Sequence, residues 1–569
     1  MRGRGSTVVV DVHDARPRRR GRRSPERRAS RSQSVVCAGR TADSRAGSSR
    51  QIPPGSVRGR GPFASLDHMV NVRMSEPISV EADWNALYID GEWTRGEATG
   101  TLTDQDPSTR EAFAEVPSGT EADVDAAYEA AAAAQQEWGE QSPAHRQAVV
   151  EQLLHALREH SEEVADLLAH EVGGSAIMGE TSVQIASDHA SEAATLPRRM
   201  KGEHADSNIP GKENLVQRKP KGVVTVISPW NFPLNLSMRA VAPAIAAGNS
   251  VVLKPATNSP ITGGLLFARL FEETDLPEGV LNVVTGRGSE IGDRVAGHPE
   301  SDVVAFTGST EVGQRVSGIA GENLAVPAME LGGNNAHVVT GDADLDRALD
   351  GATFGSFVHQ GQVCISINRH IVHESVYDEY VERLTERAEA LPVGSAHDED
   401  TVVGPIIDES QRDEMLGYVE ETVDAGATLE TGGETVEIDG VDDSLVVAPT
   451  VLSGVTNDMP AACNEHFGPI APVVPFSDVD EAVELANDTE YGLSGAVHAG
   501  DLEVAKDIAE RMETGNVHIN DQPINDEAHV PFSGTGASGV GTYNSDAFLH
   551  EITETKWISI QREAREYPF

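Results

Sequence analysis

Four apolar runs, at residues 222–227, 251–253, 280–284 and 303–306, each lead through a turn into a stretch with helical periodicity. Buried strands that alternate with helices at this spacing are returned to the same edge by each crossover, so they align in parallel. The pattern predicts an α/β fold built on a doubly wound parallel sheet, whose ligands bind at the carboxyl ends of the strands. Upstream, residues 123–138 and 144–170 carry long amphipathic patterns and predict two helices. A second α/β series follows Gly333, with helices predicted over 343–354, 375–391, 409–425, 479–487 and 501–512. Residues 430–444, acidic and glycine-bearing, predict a surface excursion. The chain has no internal repeat and is expected to form two α/β domains with a cleft between them.

Charge divides the chain differently. Residues 1–73 hold 17 arginines, no lysine and 5 acidic residues, whereas all 7 lysines and 86 acidic residues lie in the remainder. The Arg-, Ser- and Gly-rich start has no apolar periodicity, so residues 1–73 are expected to be a disordered extension outside the fold. A nucleic-acid-binding arm, a transit peptide and a mis-assigned start all have this composition. The abrupt change near Met69 and Met74 favours the last. The acidic body predicts adaptation to a high-salt cytoplasm, because concentrated salt screens the self-repulsion of such a surface. It argues against a nucleic-acid partner. No apolar run approaches the roughly 18 residues of a membrane span, so no membrane partner is expected. Three cysteines, Cys37, Cys364 and Cys463, give neither a disulfide framework nor a metal-ligand spacing, and no metal is expected.

Chemistry is concentrated in a few segments. Cys364 lies in Gly361-Gln362-Val363-Cys364, and Glu330 precedes it in Glu330-Leu331-Gly332-Gly333-Asn334. A thiolate attacks an electrophilic carbon, and a carboxylate activates the water that releases the product. A lone cysteine is more often a small buried hydrophobe. Gly286-Arg287-Gly288 and Thr307-Gly308-Ser309 follow strands and open helices, where backbone N–H groups meet a diphosphate; a structural turn reads the same way. Lys254 ends a strand where it can reach ribose hydroxyls, or it is a surface lysine. In Pro229-Trp230-Asn231-Phe232-Pro233 two prolines bracket an amide that can face a developing oxyanion.

Taken together, Pro229-Trp230-Asn231-Phe232-Pro233, Lys254-Pro255-Ala256, Phe306-Thr307-Gly308-Ser309, Glu330-Leu331-Gly332-Gly333, Gly361-Gln362-Val363-Cys364, Glu465-His466-Phe467-Gly468-Pro469 and Pro531-Phe532-Ser533-Gly534 resemble the aldehyde dehydrogenase superfamily, in its order. The resemblance runs from about residue 87 to 560. It implies a Rossmann-like dinucleotide-binding domain (74–199 and 222–332), an α/β catalytic domain (333–545) and a small β oligomerisation element (200–221 and 546–562). A homodimer or homotetramer in the cytoplasm is expected. The implied reaction oxidises an aldehyde to the acid with NAD or NADP. Cys364 is the implied nucleophile, Asn231 the oxyanion donor and Glu330 the base that hydrolyses the thioester. Trp230, Lys254, Thr257, Gly308, Ser309, Gly313, Glu465 and Phe467 are the implied cofactor-binding residues.

Departures from the family pattern refine this. Thr257 stands where NAD-strict members often carry glutamate, and a neutral side chain does not repel a 2′-phosphate. Ser237-Met238-Arg239-Ala240 replaces a common Trp-Lys pair, which removes a lysine proton relay. Gly536 replaces a lysine. With Asn235-Leu236-Ser237-Met238-Arg239, Gly536 resembles the benzaldehyde and vanillin dehydrogenase branch, which implies an aromatic or bulky apolar aldehyde. A CoA-acylating or semialdehyde-oxidising member is the alternative enzyme, and Glu330 argues against CoA acylation. A non-catalytic member is expected to lack Cys364, Glu330 or Asn231.

Overall fold

The computed structural model describes residues 77–441 and 443–569. The arginine-rich extension, its proposed disorder and start, and Cys37 lie outside the described residues. Five parallel strands form the centre of the first sheet, in the order Leu281–Val283, Ser250–Lys254, Val223–Ile227, Val303–Thr307, Val326–Glu330. The strand order reverses between Val223–Ile227 and Val303–Thr307, so the loops after these two strands diverge and leave a crevice. The edges were not foreseen from the sequence. Leu87–Ile89 and Glu92–Thr94 add an antiparallel hairpin on one side, and Gly539–Val540 returns antiparallel to Val326–Glu330 on the other. Strands of two or three residues carry too little periodicity to be read alone.

Sequence position and register place the chemistry on this sheet. Ile227 pairs with Lys254 and with Phe306, and Thr307 pairs with Glu330. Lys254 and Glu330 are the last residues of their strands, and the Pro229–Asn231 turn begins two residues beyond Ile227. All therefore lie at the carboxyl end of one sheet. The main core packs beneath it, where Trp138 is fully buried and its Nε1–H donates to the Ile245 carbonyl at 3.0 Å.

The predicted helix over 144–170 is two helices, Pro143–Glu159 and Ser161–Val172. His160 leaves helical geometry between them (φ −103°, ψ 24°), and its ring meets Glu273 at 2.8 Å. Glu162 and Glu163 then occupy the first turn of the second helix, where the helix dipole favours negative charge.

The second sheet has seven strands, in the order Thr428–Thr431, Thr450–Ser453, Ile470–Phe476, Ile367–His373, Asn335–Val339, Gly495–His498, His518–Ile519. Four of its helices begin on a capping aspartate, Asp344, Asp408, Asp478 or Asp501, whose carboxylate accepts a first-turn N–H. Segments 200–221 and 546–562 contribute a separate antiparallel sheet in which Lys212–Pro220 lies between Glu203–Asp206 and Thr553–Gln561. Gly100–Gln105 pairs with Ala112–Ser118 as a further hairpin. Among the described residues no helix is long and apolar enough to cross a membrane.

The chain passes from the first sheet to the second in four residues, Leu331 to Asn334. Arg369, fully buried in the second sheet, anchors the far end of this crossing. Its guanidinium donates to the carbonyls of Asn334 (2.8 Å), Leu485 (2.7 Å) and Ala486 (3.0 Å) and to Asn457 Oδ1 (3.1 Å). Arg369→Leu leaves these acceptors buried and unpaired, so it is expected to lower stability by about 3 kcal/mol or more. The fall in melting temperature, measured by calorimetry, checks this.

Candidate active site

Cys364 sits on a loop whose backbone is forced. His359, Gln360 and Gly361 all have left-handed φ (48°, 57° and 70°), a conformation that costs non-glycine residues about 1 kcal/mol or more each. Buried side chains hold the turn in place. Gln360 Nε2 donates to the carbonyls of Gly173 (3.1 Å) and Pro405 (2.8 Å), and Gln362 Oε1 accepts the Ile407 N–H at 3.0 Å. At the other end Asn335 Nδ2 donates to the carbonyls of Cys364 (2.9 Å) and Ser366 (2.7 Å). Asn231 Nδ2 donates to the Gln362 carbonyl at 3.0 Å, which ties the turn after the first-sheet strand to the cysteine loop.

The crossing between the sheets runs against this loop with no room for side chains. A Cβ on Gly333 would stand 2.4 Å from the Cys364 carbonyl oxygen, and one on Gly332 would stand 2.3 Å from Glu465 Oε2. Glu465 Oε1 accepts the Gly333 N–H at 2.9 Å. The Gly-Gly pair is therefore a requirement of close approach.

A cleft of about 240 Å³ opens here, and its lining includes Trp230, Asn231, Gly308, Ser309, Cys364, Glu465 and Phe467. Trp230 and Phe467 meet edge to face at 5.5 Å. Gln411 and Glu414, from the helix Glu409–Asp424, close one side. Lys254, Thr257, Glu330 and Gly313 do not line this cleft. Lys254 is buried at its strand end, with Nζ donating to the Pro255 carbonyl at 2.9 Å. Thr257 is half-buried three residues further on. Gly313 packs its helix onto Leu331, where a Cβ would lie 2.1 Å from Leu331 Cδ2.

Glu330 is buried behind the cleft in an ion pair with Arg239. Arg239, 2% exposed, projects from the helix Pro233–Ala247 and also pairs with Asp526 at 3.3 Å, which in turn meets His189 at 3.3 Å. The guanidinium lies 4.7 Å from the Tyr543 ring centroid and 5.2 Å from that of Phe532. The sequence marked Arg239 only as a departure. Its role as counter-ion to Glu330, and the parts of Asp526, Gln362 and Asn335, depend on contacts between segments far apart in the chain.

Burial sets the protonation of the site. It pushes the Cys364 thiol up to about 12, and Glu465 adds to this while Arg239 opposes it, so the resting thiol is neutral. Burial raises the Glu465 carboxyl to about 7 against the Gly333 N–H, and lowers Lys254 to about 8. Burial also favours neutral Asp526, but His189 and Arg239 outweigh it and hold that carboxyl well below its usual range.

The donor set fits a nicotinamide dinucleotide. Lys254 has N–H groups beyond the one given to Pro255, and Glu465 offers a carboxylate with one backbone partner. Ser309 precedes the helix Thr310–Glu322 without its side chain capping it, which leaves first-turn N–H groups open toward the cleft.

A half-buried thiol at the seam of a dinucleotide-type sheet and a second α/β sheet is an arrangement suited to an oxidoreductase. The aldehyde dehydrogenase family model matches residues 93–558, and the chain belongs to that family. It is 42% identical over 485 residues to a benzaldehyde dehydrogenase of Bacillus subtilis (85% of this chain, 99% of the relative). It is 44% identical over 476 residues to a vanillin dehydrogenase of Corynebacterium glutamicum (83% and 97%). The crystal structure of betaine aldehyde dehydrogenase from Staphylococcus aureus in complex with NAD+ superposes with a TM-score of 0.83 at 33% identity, covering 85% of this chain and 96% of that one. The chain has the aldehyde dehydrogenase fold, and it oxidises aldehydes to carboxylic acids with a nicotinamide dinucleotide as oxidant.

Replacing Arg239 with methionine leaves Glu330 and Asp526 without their shared cation, an expected cost of about 3–5 kcal/mol. Asp526 has a depressed folded value. Its stabilisation is complete above the unfolded carboxyl value of about 4 and is lost as pH falls toward the folded one. The melting-temperature gap between wild type and Arg239→Met should therefore be wider at neutral pH than in acid, as calorimetry at the two pH values would show.

Proposed function

We propose that the chain is a hydrolytic dehydrogenase of aromatic aldehydes. The observation that carries this is the wall around the nucleophile: Cys364 packs into an apolar cluster with Phe232, Phe532, Ile365, Leu493 and Ile524. A flat apolar ring gains contact area there, while a charged or strongly hydrated aldehyde loses solvation without a partner. The benzaldehyde and vanillin dehydrogenases among the relatives support the same substrate class.

In this reading Cys364 Sγ adds to the aldehyde carbon. The thiol is neutral at rest, so attack requires its proton to be removed as substrate docks. The Asn231 amide and the Cys364 N–H stabilise the resulting oxyanion, and Asn231 turns from the Gln362 carbonyl to do so. Bound NAD or NADP supplies the hydride acceptor, held by Lys254, Glu465 and the open helix start at Ser309, with Trp230 and Phe467 flanking the cleft. Glu330 then leaves Arg239 and takes a proton from the water that hydrolyses the thioester. Neutral Thr257 near Lys254 admits a 2′-phosphate, so both cofactors are used.

Residues 74–199 and 222–332 serve as the dinucleotide-binding domain and 333–545 as the catalytic domain, although Gly539–Val540 completes the first sheet. The antiparallel sheet of segments 200–221 and 546–562 has a nine-residue edge strand, Thr553–Gln561, that exposes Trp557. Such an edge needs cover, which supports a homodimer or homotetramer joined there. The acidic body supports a working environment of high salt in a cytoplasm.

Two experiments test this reading. Cys364→Ala should abolish NAD(P)H formation, whereas Glu330→Gln should release about one equivalent per site and then stall; normal turnover by Glu330→Gln sinks the base assignment. Assayed in molar salt with each cofactor, benzaldehyde should exceed acetaldehyde in kcat/KM by about tenfold or more. Equal values, or a preference for betaine aldehyde or a semialdehyde, would overturn the aromatic assignment.

A further inference from the structure

Three side chains far apart in sequence meet on the flank of the molecule, away from the cleft. Asp106 begins the turn between Gly100–Gln105 and Ala112–Ser118, His170 lies in the last turn of the helix Ser161–Val172, and His397 belongs to the loop before Glu409–Asp424. Each offers one ligand atom, and the three atoms lie within 4.8 Å of one another. We propose that Asp106, His170 and His397 form a binding site for a divalent transition-metal ion of the zinc class, one per chain.

The chemistry around the three residues is that of a prepared ligand set. Asp106 is buried, and its Oδ1 accepts the Ser108 N–H at 2.7 Å, which directs Oδ2 to His397 Nε2 at 2.6 Å. His170 Nδ1 meets the Asp166 carbonyl oxygen at 2.9 Å, an acceptor, so Nδ1 carries the proton and Nε2 keeps its lone pair. A backbone carbonyl fixing the tautomer in this way is the usual outer partner of a metal-ligating histidine. The two imidazole rings lie 4.4 Å apart, centroid to centroid. Zinc takes two imidazoles and a carboxylate at about 2.0–2.2 Å and keeps a fourth position for water.

The surroundings supply access and field. A cavity of about 620 Å³ adjoins His397 and carries the carboxylates of Glu162, Asp166 and Glu180, which attract a cation and leave space for its water. An ion here takes the place of the proton shared by His397 and Asp106. It joins three segments, two of which are also linked by the Ala396 N–H to Ser108 Oγ bond at 3.0 Å, so its role is to fasten the loop that leads to Glu409–Asp424. The sequence hides the site because no two of its ligands share an element.

The test uses the full chain carrying Cys364→Ser, so that the buried thiol does not take up metal, after treatment with a chelator. Zinc titrated by calorimetry should bind at one equivalent and raise the melting temperature. His170→Ala and His397→Ala in the same background should each weaken binding by about tenfold or more. Cobalt(II) should give the intense visible bands of a four-coordinate nitrogen–oxygen site, a readout that needs no histidine variant. Unchanged zinc binding in both histidine variants, no saturable binding, or a thiolate-to-cobalt charge-transfer band that places the ion on Cys463 would each overturn the proposal.

Discussion

Four residues of backbone, Leu331 to Asn334, join two sheets that each have their own core, and the site exists because this crossing is so tight. Gly332 lies against the Glu465 carboxylate and Gly333 against the Cys364 carbonyl, with no space for a Cβ at either. The last residue before the crossing is Glu330, and the first strand residue after it, Asn335, bonds the cysteine loop. Glu330, Cys364 and Glu465 are thus positioned by one segment. Arg369 holds the far end of that segment through the Asn334 carbonyl. A longer linker would keep both sheets and lose their alignment.

The charges behind the cleft are arranged so that Glu330 and Asp526 share a cation. Arg239 is a single cation between Glu330 and Asp526, and His189 supports Asp526 from the helix Ala176–Ala193. Removing charges from water is costly, and such a cluster persists only when each member has a partner. Cys364 lies in the same field and, half-buried against apolar side chains, is held toward its protonated form. A neutral thiol is the less reactive form. That suits a thiol that would otherwise be open to oxidation.

How much of this could be read from the chain depends on what each feature needs. Four of the five central parallel strands were legible because buried runs with helices between them admit few arrangements, and the cleft residues Trp230, Asn231, Ser309, Cys364, Glu465 and Phe467 were legible from motif order. The antiparallel edge strands at Leu87–Ile89 and Gly539–Val540 were not, because two or three residues have no period and their pairing is set by the sheet they join. The break at His160 was missed because both flanking segments share one apolar face. Arg239 was visible only as an oddity: its meaning lies in Glu330 and Asp526, which reach it through the fold and not through the sequence.

The division between surface and seam bears on how a chain this acidic can run charge-dependent chemistry. Exposed charges separated by more than a Debye length are screened in concentrated salt, whereas buried pairs are screened far less. In concentrated salt the acidic excess of the body would therefore be muted by ions that screen the buried Arg239–Glu330 pair far less. With so few lysines in the chain, cations are scarce, and two of them, Lys254 and Arg239, are buried at the site. There their fields act at short range through protein, and their strength depends far less on the salt outside. Surface charge can then follow the environment with little retuning of Cys364, Glu330 or Lys254.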